Sequence, residues 1–279
     1  MNTLFSRVGA WLRYRSPEMY CRVVDLGLHL RGKPLRIMMH GGLFRLEFKP
    51  RQDVDNKNSE EIWLVTPIRL YKYIDGLNSR LKRLAKIYFL DRVPLRPGDT
   101  VVDCGANIGE IGLWLARQHE DIKYFAVEPG PKEGVALRRN LPDATHDAMA
   151  LWSEDGDMKL FLEPETADSS LSDQGSGAET VTIKTCQLGT YLHCNGIDHV
   201  RLLKIEAEGS EPEVLAGAAS VLDRVDYIAV DMGPEREGCY NTVQACVTLL
   251  STAGFNFLAY DHRRHTGLFS RIEANPFKG

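Results

Sequence analysis

From residue 99 onward the chain alternates short apolar runs with stretches in which apolar residues return every three or four positions. The runs at 100–103, 124–128, near 148–151, 201–205, 227–231 and 255–260 predict strands, with helices filling most of the gaps. That alternation is the signature of βαβ units and so of a doubly wound, mostly parallel α/β sheet. One helix is especially clear. Ser210, Glu211, Pro212 and Glu213 fit a capping box with proline in the first turn, and Val214, Leu215, Ala218, Val221 and Leu222 then share a face.

Two places depart from simple alternation. Runs at 158–162 and 180–185 flank a Ser/Gly-rich stretch at 167–178 and predict a hairpin-like insertion. At the C-terminus, runs at 255–260 and 267–272 joined by a short polar link predict a closing antiparallel pair.

Residues 1–90 read differently, as an accessory α+β region preceding a main domain over 91–279. They predict a helix or two, a short strand at 43–48 and a polar loop at 51–61. Ile74, Leu77, Leu81, Leu84, Ile87 and Tyr88 recur at helical spacing with Arg80, Lys82, Arg83 and Lys86 between them, an amphipathic helix entering the main domain. Leu4, Phe5, Val8, Trp11 and Leu12 form another stripe, with Arg7, Arg13 and Arg15 beside it. A helix packed on the domain or on a second subunit of a homo-oligomer explains it, and peripheral contact with a membrane surface stays open.

Composition narrows the function classes. At 279 residues and 43% hydrophobic content, one large core and a small subdomain can be buried. A formal net charge of −4 argues against a nucleic-acid partner, whose binding domain is normally basic. The six cysteines form no CxxC pair and read as reduced thiols of a cytoplasmic protein. No apolar run reaches the ~20 residues of a membrane-spanning helix.

The stretch richest in chemistry is Val101-Val102-Asp103-Cys104-Gly105-Ala106-Asn107-Ile108-Gly109, a strand running into a glycine turn and a helix. In open α/β sheets ligands bind beyond the carboxyl ends of the strands, where glycine lets the backbone approach them. Glu128 closes the next strand, where an acid can accept hydrogen bonds from both hydroxyls of a ribose. The diphosphate-binding GxGxxG is absent, because Asn107 stands where its second glycine would be. An acid opening the loop suits a cation, and S-adenosylmethionine offers a sulfonium, an amino group and no phosphate.

These segments together resemble the FkbM family of methyltransferases. The resemblance is carried by 97–109, by Val127-Glu128-Pro129, by Ala150-Leu151 before Asp155-Gly156, and by Leu203-Lys204-Ile205-Glu206-Ala207-Glu208-Gly209-Ser210-Glu211. It implies a Rossmann-like class I methyltransferase sheet and O-methylation of a sugar hydroxyl in a glycan or glycosylated natural product. Asp103, Gly105, Ala106, Asn107, Ile108 and Gly109 would line the methionine part of the cofactor, Glu128 with Pro129 beside it the ribose, and Ala150 with its neighbours the adenine. Glu206 departs from the family, which more often has Asp followed by Val at this point.

Methyl transfer to a hydroxyl needs an aligned acceptor and a group to take its proton. Glu206 and Glu208 follow the fourth strand and Asp231 ends the fifth, so all three are candidates, as is His262 past the sixth. Glu208 serves equally well as a turn acceptor, and His262 as a solvated loop residue. Arg236, Arg263 and Arg264 suit an anionic acceptor group, and Ser169 and Ser170 a polyol. No tight ligand cluster for a metal is visible. The competing readings are a nicotinamide-dependent oxidoreductase and a non-catalytic adaptor on the same fold.

Overall fold

The computed structural model describes residues 15–48, 60–162, 179–236 and 238–271. The chain divides into two compact units, one over residues 1–80, the other taking in 81–163 and the chain beyond 167. In the first, Pro17 opens helix α1 (Pro17–Leu30), where its missing N–H costs no hydrogen bond. Strands β1 (Leu35–His40), β2 (Leu43–Phe48) and β3 (Glu60–Leu64) pair antiparallel in that order. Leu35, Ile37, Leu46, Ile62 and Leu64 are buried while Arg36 and Glu61 are exposed, the period-two alternation of a half-covered sheet. The Ile37 N–H donates to Asp25 Oδ1 at 3.1 Å, tying α1 to β1. The sequence predicts only the middle strand of this sheet; β1 and β3 carry too few alternating apolar positions to stand out alone.

The apolar stripe at 4–12 and the Ser169-Ser170 pair lie outside the described residues. Among the described residues no helix is long and apolar enough to cross a membrane.

Helix α2 (Leu77–Ile87) carries the chain across the division. In order follow β4 (Thr100–Cys104), α3 (Glu110–Gln118), β5 (Lys123–Val127), α4 (Pro131–Asn140), β6 (Thr145–Asp147), β7 (Met149–Leu151), β8 (Gly156–Leu162), β9 (Glu179–Cys186), α5 (Leu188–Cys194), β10 (Val200–Ile205), α6 (Glu211–Ala218), β11 (Val225–Asp231), α7 (Val243–Thr252), β12 (Phe255–Asp261) and β13 (Thr266–Arg271). Seven strands form one sheet in the order β12-β13-β11-β10-β4-β5-β6. Its centre is parallel, and β13 runs antiparallel to both β11 and β12. Val102, Leu203, Ile205, Ile228 and Val230 are fully buried in the main core, as strands covered on both faces require.

Register is what builds the site. Cys104 lies opposite both Ile205 and Val127, and Ile205 opposite Val230. The residues that come next, Gly105, Glu206, Glu128 and Asp231, therefore emerge along one edge of the sheet.

Two sequence expectations change. The third strand, expected near 148–151, is split: β6 joins the main sheet, while β7 pairs with β9 in a separate sheet of order β7-β9-β8. Ala150 belongs to that sheet's core with Leu160 and Ile183, so burying its methyl there draws the chain off the main sheet. The capping box at Ser210 does not form. Ser210 has a backbone (φ −105°, ψ 15°) unlike the extended N-cap, and its side chain makes no cap hydrogen bond. The Glu211 carboxylate instead binds the Ala207 and Gly209 N–H groups of the turn that leads into the helix.

Candidate active site

Asp103 is fully buried at the end of β4. Tyr124 donates its hydroxyl to Asp103 Oδ2 at 2.6 Å, and Lys204 Nζ lies 3.0 Å from Oδ1. Burial and the charge of Asp103 push the Tyr124 phenol up, so it stays protonated and keeps donating. The first residue after β4 must be glycine. Gly105 has φ +73°, and a Cβ there would sit 1.8 Å from the Glu206 carbonyl oxygen, so the turn closes directly on β10. Ala106 packs with Ala126 and Leu137, Ile108 is buried, and Gly109 at φ +84° caps α3.

Glu128 ties two loops together. Its Oε2 accepts from the Asn107 N–H and its Oε1 from the Gly130 N–H, both at 2.7 Å. Burial, with Glu133 nearby, nevertheless pushes its pKa up to about 7. Pro129 is half-buried and leads into α4. Each carboxylate oxygen of Glu128 retains a second lone pair for a ribose hydroxyl.

The residue that sequence reasoning left without a role is Lys204, buried in β10 opposite Asp103. Its Nζ meets Asp103 Oδ1 and Glu206 Oε2 at 3.0 Å each and donates to the Gly105 carbonyl at 2.7 Å. Despite burial, these two carboxylates raise its pKa and hold it cationic. A lysine inside an apolar strand, two positions before a carboxylate, was the signal available in the sequence.

Glu206 is half-buried at the end of β10. Glu208 occupies the tight turn that follows, at φ +48°. That turn is held by Glu211, whose Oε1 accepts from the Ala207 and Gly209 N–H groups at 3.0 Å each and whose Oε2 accepts from Thr242 Oγ1 at 3.2 Å. Burial raises the Glu211 pKa to about 7. Asp231 is buried, with Tyr88 Oη 3.5 Å from its Oδ2 and the Gly233 N–H donating to Oδ1 at 3.2 Å. Burial first, then the charges of Glu206 and Glu235, raise its pKa to about 7.

The remaining candidates are dispersed. His262 is exposed on the turn joining β12 and β13, as is Arg263. Arg264 on the same turn reaches within 3.9 Å of Asp231. Arg236 is engaged by Glu213 and by the Gly209 carbonyl at 2.8 Å. All six cysteines are free. Among the described residues no group of three or more His, Cys, Asp or Glu is placed to hold a metal ion.

Four carboxylates thus line one sheet edge, with Lys204 as the buried cation among them. This donor set fits a cofactor carrying positive charge and repels a diphosphate. The model of the "Methyltransferase FkbM domain" matches residues 103–257, more than half of the chain. The "31-O-demethyl-FK506 methyltransferase FkbM" of Streptomyces tacrolimicus is 31% identical over 177 residues, 47% of this chain and 64% of that protein. The "Hexuronic acid methyltransferase AglP" of Haloferax volcanii is 27% identical over 140 residues, 48% of this chain and 56% of that protein. The chain therefore spans somewhat under two thirds of the length of these two relatives. Among solved structures, a SAM-dependent methyltransferase from Aquifex aeolicus matches at 13% identity and a TM-score of 0.38, covering 69% of this chain and 96% of that one. With over half its length matching the family model, on the same segments that form this sheet edge, the chain belongs to the FkbM family of S-adenosylmethionine-dependent methyltransferases.

Proposed function

We propose that this chain methylates a hydroxyl of a sugar, free or within a glycan or glycosylated product. The observation that carries the reading is Asp231, a buried carboxylate with its pKa raised to about 7 and Glu206 beside it on the adjacent strand end. A general base works best when its pKa lies near the working pH. The two named relatives, one an FK506 and one a hexuronic acid methyltransferase, support an oxygen-rich acceptor. Arg263 and Arg264, both exposed on the turn near Asp231, suit a uronate or other anionic group on it.

When bound, S-adenosylmethionine supplies an electrophilic methyl group. Asp103 and the 105–109 turn would hold its methionine end, Glu128 and Pro129 the ribose, and the chain around Ala150 the adenine. Glu206 would orient the acceptor hydroxyl and Asp231 would take its proton. Glu208, in its turn at φ +48°, and His262, exposed on the β12–β13 turn, would not take the acceptor's proton.

The test is incubation with methyl-labelled S-adenosylmethionine and envelope glycan fractions from the source, followed by mass spectrometry. The expected product is a sugar bearing the labelled methyl as an ether. Label appearing only on RNA or protein would overturn the reading.

A further inference from the structure

Two buried side chains stand behind Asp231 and Glu206. Lys204 Nζ lies 3.0 Å from both Asp103 Oδ1 and Glu206 Oε2, donates to the Gly105 carbonyl, and is 5.4 Å from the centre of the Tyr88 ring. Tyr88, which follows α2, is itself fully buried, and its hydroxyl meets both Asp231, at 3.5 Å, and Glu206.

We propose that Tyr88 is a positioning residue for methyl transfer: its hydroxyl, set between Asp231 and Glu206, holds the Asp231 carboxylate charged and in place to take the acceptor's proton, while Lys204 keeps Glu206 an anion. This rests on the reading of Asp231 as proton acceptor.

The two carboxylates have unequal partners. Glu206 has a buried ammonium at 3.0 Å, whereas the cation facing Asp231 is Arg264 at 3.9 Å, whose side chain is 57% exposed and screened by water. Glu206 from β10, Glu235 from the loop after β11 and Glu211 from α6 all add negative charge around Asp231. Those surroundings favour a proton on Asp231 and an anion on Glu206. Burial and both carboxylates keep the Tyr88 phenol protonated, so it donates and does not itself act as base. In the reaction the acceptor O–H bond breaks and its proton passes to Asp231. The oxygen's electron pair would form the new C–O bond to the methyl that bound S-adenosylmethionine supplies, and the former C–S bonding pair would stay on the sulfur. While Asp231 is charged the phenol stabilises it; once Asp231 is neutral the phenol turns to Glu206.

Tyr88→Phe removes only the oxygen. Carboxyl carbons of the full-length protein would be followed by 13C NMR across pH, with signals assigned from Asp231→Asn and Glu206→Gln. In the wild type Asp231 should be the higher-titrating of the two. In Tyr88→Phe its midpoint should rise by about one pH unit, because the anion loses a donor. S-adenosylhomocysteine should bind within about twofold of wild type. A midpoint that does not move, or a Glu206 that titrates above Asp231, would overturn the proposal. The titration needs no acceptor, so its failure is separate from a failure to methylate sugars.

Discussion

At the residue scale, the close approaches along the sheet edge decide what can be changed. Gly105→Ala would drive a methyl group into the Glu206 carbonyl at a backbone angle that disfavours side chains. It should destabilise the fold by roughly 1–3 kcal/mol, read as a lowered Tm, and weaken S-adenosylhomocysteine binding in calorimetry. Asp231→Asn removes a proton acceptor without changing shape. Turnover should fall by about 10²–10⁴, with S-adenosylmethionine affinity within a few-fold of wild type; near-normal turnover would move the base role elsewhere. The acidic residues at the strand ends were legible in the sequence, because charges closing apolar runs stand out. The role of Lys204 was not, since a lysine in a strand is legible as a site residue only once register places Asp103 opposite it.

At the element scale, the strands of the second unit could be read because both faces of a parallel sheet are covered and their runs are nearly all apolar. What could not be read was the diversion of β7 into the small sheet, which depends on β9, more than thirty residues away across the Ser/Gly-rich stretch. Nor could the start of α6 be read, where Ser210 makes no cap hydrogen bond and Glu211 bonds back to the preceding turn. Glu128 likewise does more than an isolated ribose acceptor would, since it joins the loop after β4 to the start of α4. Glu128→Ala should therefore weaken S-adenosylhomocysteine binding by about 1–3 kcal/mol and also lower Tm, because two backbone N–H groups lose their acceptor. An unchanged Tm in thermal unfolding would mean that these N–H groups find water at no cost.

At the scale of the molecule, three buried carboxylates among the described residues, Glu128, Glu211 and Asp231, have pKa values raised to about 7 from ordinary values of 4.5, 4.5 and 3.8. Between those limits the folded chain retains protons that the unfolded chain has released. Their contribution to stability is therefore fullest below about 4 and declines as pH rises through 7. Glu211→Gln keeps an oxygen for the Ala207 and Gly209 N–H groups but needs no buried charge. Its Tm relative to wild type should rise progressively from pH 5 to pH 8; a constant difference across that range would refute the linkage. The reversed direction of β13 has a consequence of another kind. A seventh strand added in parallel would need a crossover and would turn its connecting loop to the far side of the sheet. A hairpin instead leaves His262, Arg263 and Arg264 on a short turn at the rim where β11 ends, without a helix to anchor or a register to preserve. Loop tips of this kind tolerate exchange and insertion far better than strands do. On the proposed reading, this turn is where preference for one acceptor over another would be rewritten by swapping a few residues, with the buried strand ends left unchanged.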